Sequence, residues 1–148
     1  MAYTTAEARE ELLEGLAEAI DAIGLALAEL GAAYELLDER AADRLEEELF
    51  GPAQRAYGRA KATYSGFAGT GTSFDSPAPS APSTGAHGLI DNAVAAVERA
   101  DGALSELQDS QYWTEAGDPD LRAGVTGVRQ LLGELPRRAR DLERTLGR

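Results

Sequence analysis

"GTGTSFDSPAPSAPSTGAHG", residues 69–88, is the one stretch of the chain without a helical reading, and its role decides the fold. It holds three of the six prolines and no Lys or Arg. If it joined two domains, each side would need its own core. Residues 86–148 offer only two helices with one-sided apolar stripes, and two helices rarely enclose a core. The stretch is therefore read as a connection inside one domain, longer than the roughly 2–8 residues usual between bundled helices. At its extended limit it reaches roughly 65–70 Å, enough to run along a bundle of about 45 Å. That reach permits an up-down-up-down order and equally a crossover. "SPAPSAP" favours extended polyproline backbone, and a passive solvated tether is preferred to a docking peptide.

On the N-terminal side, Leu12, Leu16, Ile20, Ile23, Leu27, Leu30, Tyr34 and Leu37 step by 3 or 4, close to a heptad seam. Ala17, Ala19, Ala22, Ala26, Ala32 and Ala33 flank it and would let a partner helix, or a second copy, come close. Thr4 with Glu7 forms a possible capping box. A second stripe runs through Leu45, Leu49, Pro52, Ala56, Ala60, Thr63 and Phe67. The division between the two is open: a stop at Gly31, a turn near 37–39 with Asp38 as N-cap, or one helix to about 50. Matched helix lengths favour the turn. Pro52 and Pro136 each remove a backbone donor inside a helical stripe, so a kink or a local break is expected at each, and Gly51 favours a true break at Pro52 over Pro136.

On the C-terminal side, Ile90, Val94, Val97, Leu104 and Leu107 predict a third helix over about 86–112. Asp118 and Pro119 read as N-cap and first residue of a fourth, in which Leu121, Val125, Val128, Leu132, Leu135, Ala139, Leu142 and Leu146 alternate steps of 4 and 3. "EAGDPD" makes these two an antiparallel hairpin. The expectation is a single all-α domain over 1–148: a four-helix antiparallel bundle with helices of about 5–36, 40–67, 86–112 and 119–147, and the long Pro/Gly/Ser-rich connection of 69–85 between the second and third.

The formal net charge is −12, and residues 1–50 alone hold 14 acidic and 3 basic side chains. So negative a surface repels phosphate backbones and disfavours nucleic acid. With no cysteine and only His87 as histidine, disulfides, thiolate chemistry, thiolate metal sites, most imidazole-based metal sites and the two Glu-x-x-His motifs of a di-iron bundle are ruled out, while a carboxylate-only cation site stays open. No metal, cofactor or catalytic residue is assigned. No basic cluster precedes an apolar run at the N-terminus, and "AIGLALA" at 22–28 is far short of the ~20 residues of a membrane span. The expected setting is cytoplasmic, without a membrane partner.

Asp101 stands where the third seam calls for an apolar side chain, which marks it as a buried polar candidate needing a partner such as Arg129. Tyr112 and Trp113, just before the hairpin, read as an aromatic plug or as an exposed docking spot. Arg137, Arg138, Arg140 and Arg144, with Arg148, suit a helix C-terminus and are a candidate interaction strip. With adjacent termini they would face Glu7, Glu10, Glu11, Glu14 and Glu18. His87 is read as exposed or capping, without an acid partner. The leading function is a non-enzymatic protein-interaction or scaffold module, self-association included. The alternative is a small molecule or metal held in a cavity near Pro52 and Pro136.

"YELLDERAADRLEEELFGPAQRAYGRAKATYSGFA" (34–68) and "LIDNAVAAVERADGALSELQDS" (89–110) resemble segments of small actinobacterial helical-bundle proteins of unknown function. The resemblance implies a bacterial cytoplasmic origin and brings no ligand or site residue.

Overall fold

The computed structural model describes residues 5–146, which fold as an all-α protein with no strand among them. Thr4 of the expected capping box and Arg148 lie outside the described residues. The first seam forms α1, Thr5–Tyr34, whose buried face includes Leu12, Leu16, Ile20, Ile23 and Leu30. Gly31 stays helical. The chain turns after Tyr34, and the Asp38 carboxylate accepts from the Ala41 amide at 2.9 Å to start α2, Glu39–Leu45. A π-helical turn, Glu46–Phe50, leads without a gap into α3, Gly51–Ala68.

That turn follows from Pro52. Proline carries no N–H for the carbonyl four residues back, which is Glu48. The Glu48 carbonyl instead accepts from Arg138 Nη1 at 3.3 Å. The backbone at Phe50 and Gly51 stays right-handed helical, so the expected break at Pro52 is absent. The sharper interruption lies by Pro136: the fourth segment divides at Glu134 into α6, Pro119–Gly133, and α7, Leu135–Thr145. The third segment is also divided. It gives α4, Gly85–Asp109, then a short α5, Gln111–Ala116, begun by the Ser110 hydroxyl accepting from the Trp113 amide. Asp118 caps α6 through the Leu121 amide at 2.8 Å.

Neighbour contacts fix the directions. Arg9 Nη2 donates to the Phe67 carbonyl at 2.6 Å, and Gly24 lies by Tyr57, so α3 runs antiparallel to α1. Gly15 faces Leu107 while Glu29 and Asn92 meet at Ser80, so α4 is also antiparallel to α1. Thr63 against Gly124 with Arg59 against Gly127 sets α6 antiparallel to α3, and Asp101 against Arg129 with His87 against Glu143 sets α6–α7 antiparallel to α4. Hence α3 and α4 point the same way, and residues 69–84 return the chain from the pole where α1 begins to the pole where it ends. This is a crossover.

The connection is largely exposed, as its composition suggested, but three of its residues are anchored to the helices. Gly69, in the left-handed conformation at φ 81°, ends α3. Phe74 then meets the Tyr64 ring edge-on at 5.2 Å. Pro77 sits over Gly24, and the Ser80 amide and hydroxyl donate to Glu29 Oε1 at 3.0 and 2.8 Å. Apolar rings and one carboxylate thus anchor it to α3 at Tyr64 and to α1 at Gly24 and Glu29.

Candidate functional site

At the pole where α1 ends, the last positions of its seam lose their helical partner because the chain turns after Tyr34. Tyr34 is 37% and Leu36 44% exposed, the large apolar side chains that the described residues leave most open. Gly31, Tyr34, Glu35, Glu46 and Phe50 line a cleft of about 280 Å³ between the end of α1 and the π turn. The wider π turn carries Phe50 half-buried to the cleft wall beside buried Leu49. Over residues 35–48 the chain holds seven acidic and two basic side chains. Arg44 is spent on Glu48 at 3.1 Å and on the Thr145 hydroxyl at the same distance. Glu35 and Glu46 meet no cation among the described residues. The result is an apolar slot with a negative rim. Position 34 was legible as a seam residue, but its exposure was not, because that depends on where α1 stops.

The residues singled out from sequence fall elsewhere. Tyr112 and Trp113 lie half-buried against the core where α1 begins, covering that end. Asp101 is paired, not buried: its carboxylate, about a third exposed, accepts from Arg129 Nε at 2.8 Å and Nη2 at 3.2 Å. Arg129 also donates to Gln108, and the Asp101 bond raises its guanidinium pKa. The one buried charged side chain described is Glu29, 3% exposed, whose Oε2 has no partner. Its distance of 51 positions from Ser80 hid it from any pattern along one helix.

The arginines of α7 lie at the pole opposite the N-terminal glutamates. The crossover sends α7 to that pole, where Thr145 reaches Arg44 and His87 Nδ1 lies 3.2 Å from Glu143 Oε2. Arg137 and Arg138 pair with Glu134, Arg144 pairs with Asp141, and Arg140 is exposed. His87 therefore does have an acid partner. Burial first, then the neighbouring Asp91 carboxyl, push the Glu143 carboxyl above its usual range. Among the described residues no three His, Asp or Glu side chains converge as metal ligands, and no helix is long and apolar enough to cross a membrane.

Pro52 and Pro136 edge different clefts. Pro136 edges a surface cleft of about 370 Å³ with Asp101 and Arg129, whereas Pro52 edges a separate one of about 330 Å³ with Arg55, Arg59 and Arg138. Of the six alanines flanking the first seam, Ala19, Ala26 and Ala33 are fully buried in the core, and Ala17, Ala22 and Ala32 are partly exposed. Comparison with protein-family models, with curated proteins and with solved structures finds no match to this chain.

Proposed function

We propose that the chain is a four-helix antiparallel bundle with a crossover connection, working in the bacterial cytoplasm as a non-enzymatic protein-interaction module. The bundle reading is supported by four rods, α1, α2–α3, α4 and α6–α7, in which every neighbouring pair described above is antiparallel. The module's docking surface is the Tyr34–Phe50 cleft. Its occupant is a short basic segment that inserts one apolar side chain between Tyr34 and Phe50 and sets Arg or Lys against Glu35 and Glu46. The observation that carries this reading is the exposed Tyr34–Leu36 pair beside a slot whose rim carboxylates meet no cation among the described residues. An apolar anchor ringed by charge is how interfaces concentrate binding energy, and rim charges steer encounter more than they hold.

The test is selection of a random peptide library displayed on phage against the whole protein. Enriched peptides should share one aromatic or aliphatic anchor flanked by basic residues. Their binding should fall by about tenfold or more in Tyr34→Ser, as expected when an interface anchor worth roughly 2 kcal/mol is removed. Enrichment of acidic peptides, or undiminished binding to Tyr34→Ser and Leu36→Ser, would overturn the reading.

A further inference from the structure

The cleft beside Pro52 has the opposite sign from the rest of the molecule. Arg55 and Arg59, one helical turn apart on α3, and Arg138 on α7 line it, with Glu134 as the one carboxylate. Its local charge is therefore +2, three cations less one anion, in a chain of net charge −12. The donors are not used up. Arg138 is held by the Glu48 carbonyl and by Glu134, which orients it. Arg59 spends Nη2 on the Ala123 carbonyl at 3.2 Å. Arg55 has no hydrogen-bond or ion-pair partner among the described residues.

A glycine makes the arrangement possible. A Cβ on Gly127 would stand 2.6 Å from Arg59 Nε and 2.7 Å from its Cζ, so the guanidinium lies directly against the α6 backbone. Any larger residue at 127 would lift Arg59 out of the cleft. Gln130 adds an amide, while Pro52 and Leu131 supply an apolar floor.

We propose that this cleft binds a small phosphate ester, with Arg55 and Arg59 gripping the phosphoryl oxygens and the carbon portion resting on Pro52 and Leu131. Guanidinium forks match phosphoryl oxygens in pairs. A phosphate monoester carries about −1.5 to −2 at pH 7, which balances the local charge. Repulsion from the acidic α1–α2 region is screened within roughly 8–10 Å at physiological salt. The volume of about 330 Å³ suits a small organic phosphate and not a polymer.

The experiment is a nitrogen-15 NMR titration of the full chain with inorganic phosphate and with phenyl phosphate, ionic strength being held constant with sodium chloride. Saturable shifts are expected at amides of 53–59 and 127–138, with phenyl phosphate the tighter of the two. Arg55→Gln should weaken binding about tenfold, the loss of a charge-assisted contact. Gly127→Ala should weaken it similarly with no fall in melting temperature, because alanine favours a helix and only a flexible guanidinium must move. No saturable response to either probe, or unchanged affinities in both variants, would overturn the site. Equal affinity for the two probes would overturn the ester and leave free phosphate as the ligand.

Discussion

Gly15 and Gly102 both sit inside helices, yet alanine should act on them in opposite directions. A Cβ at Gly15 would stand 2.5 Å from Leu107 Cδ2, whereas nothing lies within 4 Å of one at Gly102. Gly102→Ala is predicted to stabilise the fold by about 0.5–1 kcal/mol through helix propensity. Overpacking at Gly15→Ala costs about 1–3 kcal/mol and outweighs that gain. Urea denaturation of the two variants measures both signs. Glu143 offers a second prediction. Its carboxyl is raised in the fold, so its contribution to stability is present below the ordinary carboxylate range and is lost as pH rises through the elevated value. Glu143→Gln keeps a polar neighbour for His87 and removes repulsion toward Asp91. Measured against the native chain, it should be more favourable at pH 7 than at pH 4, and an equal difference at both would contradict the assignment. Ser80→Ala removes one of two donors to buried Glu29 and should cost about 1–3 kcal/mol. It should also speed amide exchange at residue 80.

The helices themselves were largely legible in the chain because their seams are nearly complete. Leu121, Val125, Val128, Leu132, Leu135, Ala139 and Leu142 are all buried, as a 4–3 repeat requires, and Asp118 caps the helix that they begin. Replacing Asp118 with alanine should cost about 1 kcal/mol in thermal or denaturant unfolding. What could not be read was where the seams are interrupted. At Glu134 and Ser110 the apolar repeat continues or ends smoothly while the backbone divides, because a kink leaves the same side chains facing inward. At Pro52 the outcome depended on Arg138, far along the chain, reaching the carbonyl that proline abandons. The same long-range pairing hid the arginine cleft, in which only the one-turn spacing of Arg55 and Arg59 gives a local signal. The anchors of the 69–81 segment were hidden as well. Its composition matches a tether, but Phe74, Pro77 and Ser80 each find a partner that no local pattern announces.

On the scale of the whole molecule, everything depends on the crossover. With it, α7 ends beside the turn that follows α1, the arginines of α7 lie at the pole opposite the N-terminal glutamates, and the acidic rim of the Tyr34 cleft faces solvent. Without it, the chain's two ends would share a pole and the strip would face Glu7–Glu18. The chain has no cysteine, so paired spin labels can be introduced without background. The decisive measurement is electron–electron distance in two doubly labelled proteins, Glu10→Cys with Arg144→Cys and Arg40→Cys with Arg144→Cys. A 30-residue α1 spans about 45 Å, so the crossover predicts roughly 35–45 Å for the first pair and less than about 25 Å for the second. A short first distance and a long second one would mean that the last helices run the other way, and the fold argued above would be wrong.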